Sequence, residues 1–454
     1  MKKIIVSVAS VLAMAVPGLT AQAETLQEAL IMTYTTNPTI QAQRASVRGV
    51  DEGVSQALSG WRPTVTLVGE AGSEYNKSST TTAPGGDRTY NPSSLALSVS
   101  QPLYKGGQTT ANTLAAEADV KAARAGLVSV EQNIFKAAVA AYMNVVRDKA
   151  VVELNENNIG VLARQLEAAQ DRFDVGEITR TDVAQAEARL AGARSGLVRA
   201  IGNLKVSEAT YEKIVGQKPG DVEYPSFPTD FPESIEAAIE LGMNNNPDIR
   251  AAKFQEESSK HTIRATSGRL LPSLSLDGSL SHTNDVSSAT QWGEKASISA
   301  TLTVPLYQSG AVYSSVRQAR QLNNQRKIEI ESAVRDVREA VTQAWEQLEA
   351  ARADIQSTEE QVRANTIALE GVQQEAQVGS RTTLDVLDAE QELLNSQVDL
   401  VSARRNVFVA MYDVLAAVGN LNAQEMGLDV DYYDPQVNYK RVRNKWIGTD
   451  GGLE

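Results

Sequence analysis

The chain has 454 residues, a formal net charge of −13 and no cysteine. The missing cysteine excludes disulfides, thiolate metal sites and a lipid anchor on an N-terminal cysteine. The negative charge argues against nucleic acid and anionic lipid surfaces as partners. Two histidines and no nucleophile motif leave little for catalysis, so the chain is predicted not to be an enzyme and to hold no cofactor.

Residues 1–23 have the pattern of a secretory signal peptide. Lys2 and Lys3 precede a short apolar stretch at residues 4–16, and Ala21 and Ala23 form a small-residue cleavage site. This stretch is too short to cross a bilayer, whose hydrocarbon core is about 30 Å thick. The sequence therefore predicts export of the mature chain.

The mature chain contains two copies of one unit. Asn37-Pro38 returns as Asn246-Pro247, and a Pro-Leu-Tyr motif at Pro102 returns at Pro305. A repeat of this length indicates two copies of one structural unit. The predicted organisation is a first repeat at residues 24–219, a second at 220–419, and a polar C-terminal segment at 420–454.

Each copy opens with short helical patterns and then changes to a period of two. Hairpins are predicted at about residues 63–103 and 272–305, with Leu, Ile and Val on one face and Ser, Thr, Asp and Glu on the other. The strands have the length of tilted strands that cross a bilayer. Aromatic residues near the strand ends match the girdles of such strands: Trp61, Tyr75, Tyr90, Tyr104, Trp292 and Tyr307. The alternative is an ordinary half-buried hairpin in a soluble sheet.

After each hairpin come Gly107 and Gly310 and then a very long helical pattern. Long helices are predicted at about residues 108–173 and 311–375, with apolar residues every seventh position. This spacing is typical of coiled coils, and a helix of this length would extend about 100 Å. Shorter return helices are predicted at about 181–215 and 383–418.

Four strands cannot close a barrel, and an open strand edge is not tolerated in lipid. Chains must therefore associate if the hairpins cross a membrane. Two chains would supply eight strands with a filled interior, and three would supply twelve strands and leave room for a lumen.

The duplicated layout, the two Pro-Leu-Tyr junctions and the string from Val378 to Ala389 resemble the TolC family of outer-membrane efflux ducts. The resemblance implies a mixed, mainly α fold and a homotrimer in the outer membrane of a Gram-negative bacterium. A twelve-stranded barrel, four strands per chain, would continue into a long periplasmic coiled-coil barrel. The opening helix of the first repeat and residues 420–454 would lie in an equatorial belt around that helical barrel. Without a cysteine, the chain resembles the unlipidated branch of the family.

The resemblance also implies a passive duct of a tripartite efflux pump or a type I secretion system, exporting drugs, toxic compounds or proteins. Its partners would be a periplasmic adaptor, an inner-membrane transporter and outer-membrane lipid. The adaptor would dock on the helix tips near Gly176 and Gly379 and open the entrance. The barrel–helix junctions are marked by four residues: Pro102, Gly107, Pro305 and Gly310.

Acidic residues cluster at the predicted tips. By spacing, Asp182 and Asp385 are N-terminal capping residues, each three positions after a threonine. Asp388 has no such role, and its equivalent in the first copy is Gln185. In a three-fold ring Asp385 and Asp388 would place six carboxylates at one level, where they attract cations.

The resemblance assigns Asp385 and Asp388 to an acidic ring at the entrance, where divalent cations block the pore; no dedicated metal site is expected. It assigns Arg381, together with Thr181 and Asp182, to the latch that holds the entrance shut. A tyrosine found in the latch of some members corresponds here to Ala376.

Two other functions are compatible with parts of the pattern. A coiled-coil periplasmic scaffold or trimeric surface adhesin would use the long helices without a lumen, and conductance across a bilayer would separate it from a duct. An exported hydrolase using Asp385 and Asp388 has little support, because neither His261 nor His282 lies in a recognisable motif.

Overall fold

The computed structural model describes residues 24–77, 88–227, 231–285 and 291–451. The predicted signal peptide at residues 1–23 lies outside these ranges, as do parts of the two hairpin loops, at 78–87 and 286–290. The side chain of Tyr90, one of the predicted girdle residues, is also outside the description.

Helices make up most of the described chain and match between the two copies. Each copy has one long helix of 67 residues and one return helix of 36 residues. The short helices match in the same way, at 11 and 21 residues. In chain order the helices are α1 (Leu26–Thr36), α2 (Pro38–Leu58), α3 (Gln108–Asp174), α4 (Arg180–Val215), α5 (Ile235–Asn245), α6 (Pro247–Ser267), α7 (Ala311–Gln377), α8 (Thr383–Val418) and α9 (Pro435–Val442).

The Asn-Pro pairs start α2 and α6. The side chain of Asn37 accepts a hydrogen bond from the Thr39 amide, and that of Asn246 accepts one from the Asp248 amide, both at 2.9 Å. Proline follows at the first helical position, where its missing N–H costs nothing. The same dipeptide therefore begins the same helix in each copy.

The strands form one main sheet and one small ribbon. They are β1 (Thr64–Ala71), β2 (Glu74–Asn76), β3 (Arg88–Tyr90), β4 (Ser93–Lys105), β5 (Ser273–Asn284) and β6 (Trp292–Thr303). The main sheet has the order β1-β4-β5-β6, with every neighbouring pair antiparallel, and β2 pairs with β3. Within the described residues β1 and β6 each have one neighbour, so both outer edges of the sheet are open.

One face of this sheet is apolar and exposed. Leu67, Ile298 and Leu302 retain 64%, 83% and 64% of their accessible surface. No element in the described part of the chain covers these side chains enough to remove them from solvent. A large exposed apolar face on a monomer indicates a surface that another phase or chain must cover.

The chain divides into two compact units. The described residues within Met1–Thr36, Ala137–Thr229 and Ala350–Val409 form one unit, and those within Asn37–Lys136, Asp230–Glu349 and Ala410–Glu454 form the other.

In the second unit the C-terminal segment packs against earlier helices. The Asn438 side chain of α9 donates a hydrogen bond of 2.8 Å to the buried carboxylate of Asp51 on α2. The Ala423 amide donates to Glu131 of α3 at 2.6 Å. Asp51 and Glu131 are both buried, and a buried carboxyl group without a hydrogen-bond partner is unfavourable. The two bonds from the C-terminal segment supply such partners, so they favour its packed position.

Candidate functional site

The two long helices end in the same backbone motif. Gly176 follows α3 with φ +82°, and Gly379 follows α7 with φ +79°. The Glu177 amide bonds to the Arg172 carbonyl at 2.8 Å, and the Ser380 amide bonds to the Glu375 carbonyl at 2.9 Å. These are Schellman caps, which end a helix with a left-handed residue. A Cβ at either glycine would meet nothing within 4 Å, so only the backbone angle demands glycine there.

Both return helices begin with a capping box. The Asp182 carboxylate accepts from the Thr179 amide at 2.8 Å, and that of Asp385 accepts from the Thr382 amide at 2.9 Å. Each threonine hydroxyl in turn accepts from the aspartate amide. The capping role expected from the spacing is therefore present in both copies.

These caps keep the two aspartates ionised. The pKa of Asp182 is lowered chiefly by the hydroxyl of Thr179, and the pKa of Asp385 is lowered chiefly by the backbone N–H of Thr382. Donors aimed at a carboxylate favour its charged form. Each tip consequently carries a fixed negative charge at neutral pH.

Asp388 lies one turn further along α8 and forms an ion pair with Arg189 of α4. The two residues belong to different copies, so this pair connects the return helix of the first hairpin with that of the second. Arg189 was not among the residues predicted from sequence. The available signal was the charge difference between the copies, since the equivalent of Arg189 is Glu392 and the equivalent of Asp388 is Gln185.

Arg381, in the turn between α7 and α8, forms an ion pair with the end of α7. Its Nε lies 2.8 Å from Oε2 of Glu375, in the last turn of α7. The hydrogen bond to Glu375 raises the pKa of Arg381, and the charges of Glu375 and Asp385 act in the same direction. The predicted latch role of Arg381, Thr181 and Asp182 stays a prediction, and within one chain the guanidinium of Arg381 pairs with Glu375.

An apolar core lies under the tips in the first unit. Leu162 and Ala169 of α3, Ala186 and Leu190 of α4, and Leu387 of α8 form one buried cluster. Leu387 directly precedes Asp388, so the packing of α8 on this cluster determines where that carboxylate lies. Three helices are thereby held together behind the charged tips.

A buried acid accompanies this core. Glu390 of α8 is 8% exposed and accepts a hydrogen bond of 3.1 Å from Gln373 of α7. Burial raises the pKa of Glu390, while the bond to Gln373 and the charge of Arg164 oppose the change. The bond between α7 and α8 joins the two helices of the second hairpin close to its tip.

At the first barrel–helix junction two adjacent glycines have left-handed backbones: the predicted Gly107 and its neighbour Gly106. Gly107 has φ +74° with open space around it, whereas Gly106 has φ +57° and sits against another backbone. A Cβ at Gly106 would lie 2.1 Å from the carbonyl oxygen of Gly268. Gly106 is therefore the sterically demanding residue.

Pro102, near the same junction, lies where the hydrogen bonding between β4 and β5 becomes irregular. The β4–β5 register shifts between Pro102 and Tyr104, as expected because proline lacks an N–H for the ladder. In the second copy β6 ends at Thr303, Pro305 follows outside the strand, and α7 starts directly after Gly310, whose φ is +78°.

Among the described residues, no helix is both long and apolar enough to span a bilayer. The described residues also contain no group of three or more His, Asp or Glu side chains arranged to hold a metal ion.

Comparison with known proteins identifies relatives along nearly the whole chain. The family described as outer membrane efflux protein matches residues 29–217 and 238–420. The chain is 38% identical over 432 residues to the outer membrane efflux protein BepC of Brucella suis, covering 95% of this chain and 93% of BepC. It is 26% identical to the outer membrane protein TolC of Escherichia coli, covering 89% and 84% of the two chains.

A more distant relative is named for secretion. The alkaline protease secretion protein AprF of Pseudomonas aeruginosa is 22% identical, covering 75% of this chain and 73% of AprF. Among solved structures, the outer membrane protein VceC of Vibrio cholerae has a TM-score of 0.73 at 20% identity, covering 87% of this chain and 96% of VceC. At that identity the likeness concerns the fold alone.

Proposed function

Because this chain belongs to the outer membrane efflux protein family, we propose that three copies of it close a single duct through that membrane. The protein is an outer-membrane channel that serves efflux and secretion. In this proposal its helical part extends into the periplasm. The assembly, the gate and the partners are the parts of the proposal that require experiments.

The open edges of the main sheet carry the proposal of a trimer. Backbone N–H and C=O groups at β1 and β6 need partners, and in hydrocarbon only strands can supply them. All pairs in the sheet are antiparallel, so β6 of one chain can pair antiparallel with β1 of the next. Three chains then give twelve strands, enough to leave a lumen, while the exposed apolar face meets lipid.

The helix tips support a gated entrance. In a trimer Asp385 and Asp388 would repeat three times around the axis, and a ring of carboxylates at a constriction attracts cations. The capping threonine holds Asp385 in one place, and Arg189 holds Asp388. We expect the three Asp385 carboxylates to dominate cation binding, since each Asp388 already has a guanidinium partner.

The duct itself is proposed to be passive, with Arg381, Thr181 and Asp182 contributing to the closed state. A periplasmic adaptor would dock near Gly176 and Gly379 and move the return helices, and an inner-membrane transporter would supply the energy and select the cargo. Relatives named for efflux and for protease secretion both occur, so cargo class would follow from the partners.

Conductance in planar lipid bilayers tests the channel and its entrance together. Asp385→Asn with Asp388→Asn removes both charges but keeps side chains that can still accept hydrogen bonds. We expect wild-type conductance to be blocked by divalent cations and the double variant to conduct more with little block. Thr382→Ala is the matched control, because it weakens the cap of Asp385 but keeps both negative charges.

Two results would contradict the proposal at different points. Unchanged divalent block in the double variant would eliminate the acidic ring. A purified wild-type chain that is monomeric in detergent and gives no conductance would eliminate the trimeric duct and favour a scaffold.

Docking on the tips can be tested by cysteine crosslinking, since the native chain has no cysteine. Ser380→Cys at the tip of the second hairpin should crosslink to a co-expressed adaptor, and Ser357→Cys further along α7 should not. Equal crosslinking at both positions would argue against docking on the tips.

A further inference from the structure

The polar face of the main sheet carries a carboxylate among hydroxyl groups. Alternate residues of β5 point to this face, and Asp277 lies there directly opposite Ser100 of β4 and Ser299 of β6. The neighbouring residues of β5 on the same face, Ser275 and Ser279, are both serines. Asp277 is therefore an acidic side chain within a belt of hydroxyls on three adjacent strands.

The hydroxyls hold this carboxylate in place. Ser100 Oγ donates to Oδ1 of Asp277 at 2.5 Å, and Ser275 Oγ donates to Oδ2 at 2.7 Å. The Thr301 hydroxyl is a further hydrogen-bond partner. Each of these hydroxyls uses its only proton on the carboxylate, so its oxygen lone pairs remain for solvent or a passing cation. The belt therefore presents acceptor oxygens around a fixed negative charge.

Two lysines and one glutamate on this face of the sheet lie well away from Asp277. Lys295 pairs with Ser281 and Lys105 pairs with Ser273, each four residues along β5 from Asp277. At about 3.3 Å per residue either distance is about 13 Å, which exceeds the Debye length of about 8 Å at physiological ionic strength. Glu70, opposite Ser94 on β4, lies further toward the loops. Asp277 consequently dominates the electrostatic potential at its own level.

We propose that Asp277 forms a ring of three carboxylates inside the barrel that makes the outer-membrane part of the duct cation-selective. This inference rests on the trimeric duct proposed above, which turns the polar face of each sheet toward a common lumen. The ring is separate from the acidic residues at the helix tips, and it acts where cargo and ions have already passed the entrance. Ions of one sign are favoured wherever a pore is lined by a ring of the opposite charge.

The reversal potential in a potassium chloride gradient measures this selectivity. The measurement uses the Asp385→Asn, Asp388→Asn channel as background, so that the helix tips do not determine the result. In this background we expect Asp277→Asn to lower the ratio of potassium to chloride permeability several-fold, and Asp277→Glu to preserve it. Ser279→Asn, on the same face of β5 and without a change of charge, is the matched control and should have no effect.

A second variant tests the ring without removing Asp277. Ser299→Lys places a cation directly across from Asp277 on β6, and it should lower the permeability ratio in the same direction. If Asp277→Asn assembles poorly because one of the two oxygens that accept from Ser100 and Ser275 becomes an amino group, this variant still decides the question.

Cysteine chemistry provides an independent measurement, since the native chain has no cysteine. The Asp277→Cys channel should react with water-soluble thiosulfonates, a negatively charged reagent restoring cation selectivity and a positively charged one reversing it. The ring would be overturned by conducting channels whose ion selectivity is unchanged by Asp277→Asn and Ser299→Lys, or by an Asp277→Cys channel that the reagents leave unmodified. Absence of conductance in the background channel itself would count against the duct instead.

Discussion

Loss of the Arg189–Asp388 ion pair should loosen the entrance of the duct. This pair joins α4 to α8, the two return helices, and it lies beside the capped tips. Arg189→Gln removes the charge and keeps a long polar side chain. The apolar cluster of Leu190 and Leu387 next to the pair stays intact, so the variant should fold normally.

The size of the effect follows from the exposure of the pair. The side chains of Arg189 and Asp388 are 38% and 55% exposed, so water and salt screen their attraction. Exposed pairs contribute about 0.2–1 kcal/mol each. If opening breaks all three pairs of a trimer together, the closed state loses about 0.6–3 kcal/mol, which corresponds to about a 3- to 160-fold rise in the ratio of open to closed channels.

Single-channel recordings give this ratio directly as an open probability. We expect Arg189→Gln to raise it, and Arg189→Asp combined with Asp388→Arg to return it toward the wild-type value. Arg199→Gln, an exposed arginine further along α4, is the control. An Arg189→Gln channel with wild-type open probability, or a charge reversal no better than its single substitutions, would refute this role of the pair.

Two further predictions concern the fold. Gly107→Ala should cost about 1–2 kcal/mol of folding free energy because of its left-handed backbone. Gly106→Ala should cost clearly more, since its Cβ would lie 2.1 Å from the Gly268 carbonyl oxygen. Thermal unfolding compares the two variants, and equal losses of stability would contradict the close packing at Gly106. Burial raises the pKa of Tyr142 from 10.0 to about 12. Because the folded pKa is the higher one, the neutral hydroxyl contributes its full stability below pH 10, and that contribution is lost as the pH rises toward 12. Denaturant midpoints should therefore fall over this interval more steeply for the wild type than for Tyr142→Phe, and parallel curves would show that burial of this hydroxyl does not shift its titration.

Several sequence-based predictions are confirmed. The family, the mainly helical fold with four strands per chain in the main sheet, the internal repeat, the channel function and the outer-membrane location agree with the structure and with the relatives. The reason is that local chemistry already favours each element. Asn37-Pro38 suits the start of a helix, because asparagine caps it and proline is tolerated at the first helical position. Alternation of Leu with Ser is typical of a strand with one apolar and one polar face.

Residues of the site were predicted unevenly. The caps at Asp182 and Asp385 were accessible from sequence, because a capping box places threonine and acid three positions apart. Ion pairing at the tips was not accessible in the same way. The pairing of the Arg381 guanidinium with Glu375, six positions away, was not predicted, and the latch role of Arg381 stays a prediction.

By itself, the sequence determined the order of helices and strands and the caps at the tips, because these depend on neighbours a few positions apart. It also showed the repeat, because the same local motifs recur in the second half of the chain. The tertiary structure decided which distant groups meet. Arg189 reaches Asp388 across 199 residues, and Ser100 reaches Asp277 across 177. No periodicity records such pairs, since they arise only when packing of helices and register of strands bring the two copies of the repeat together.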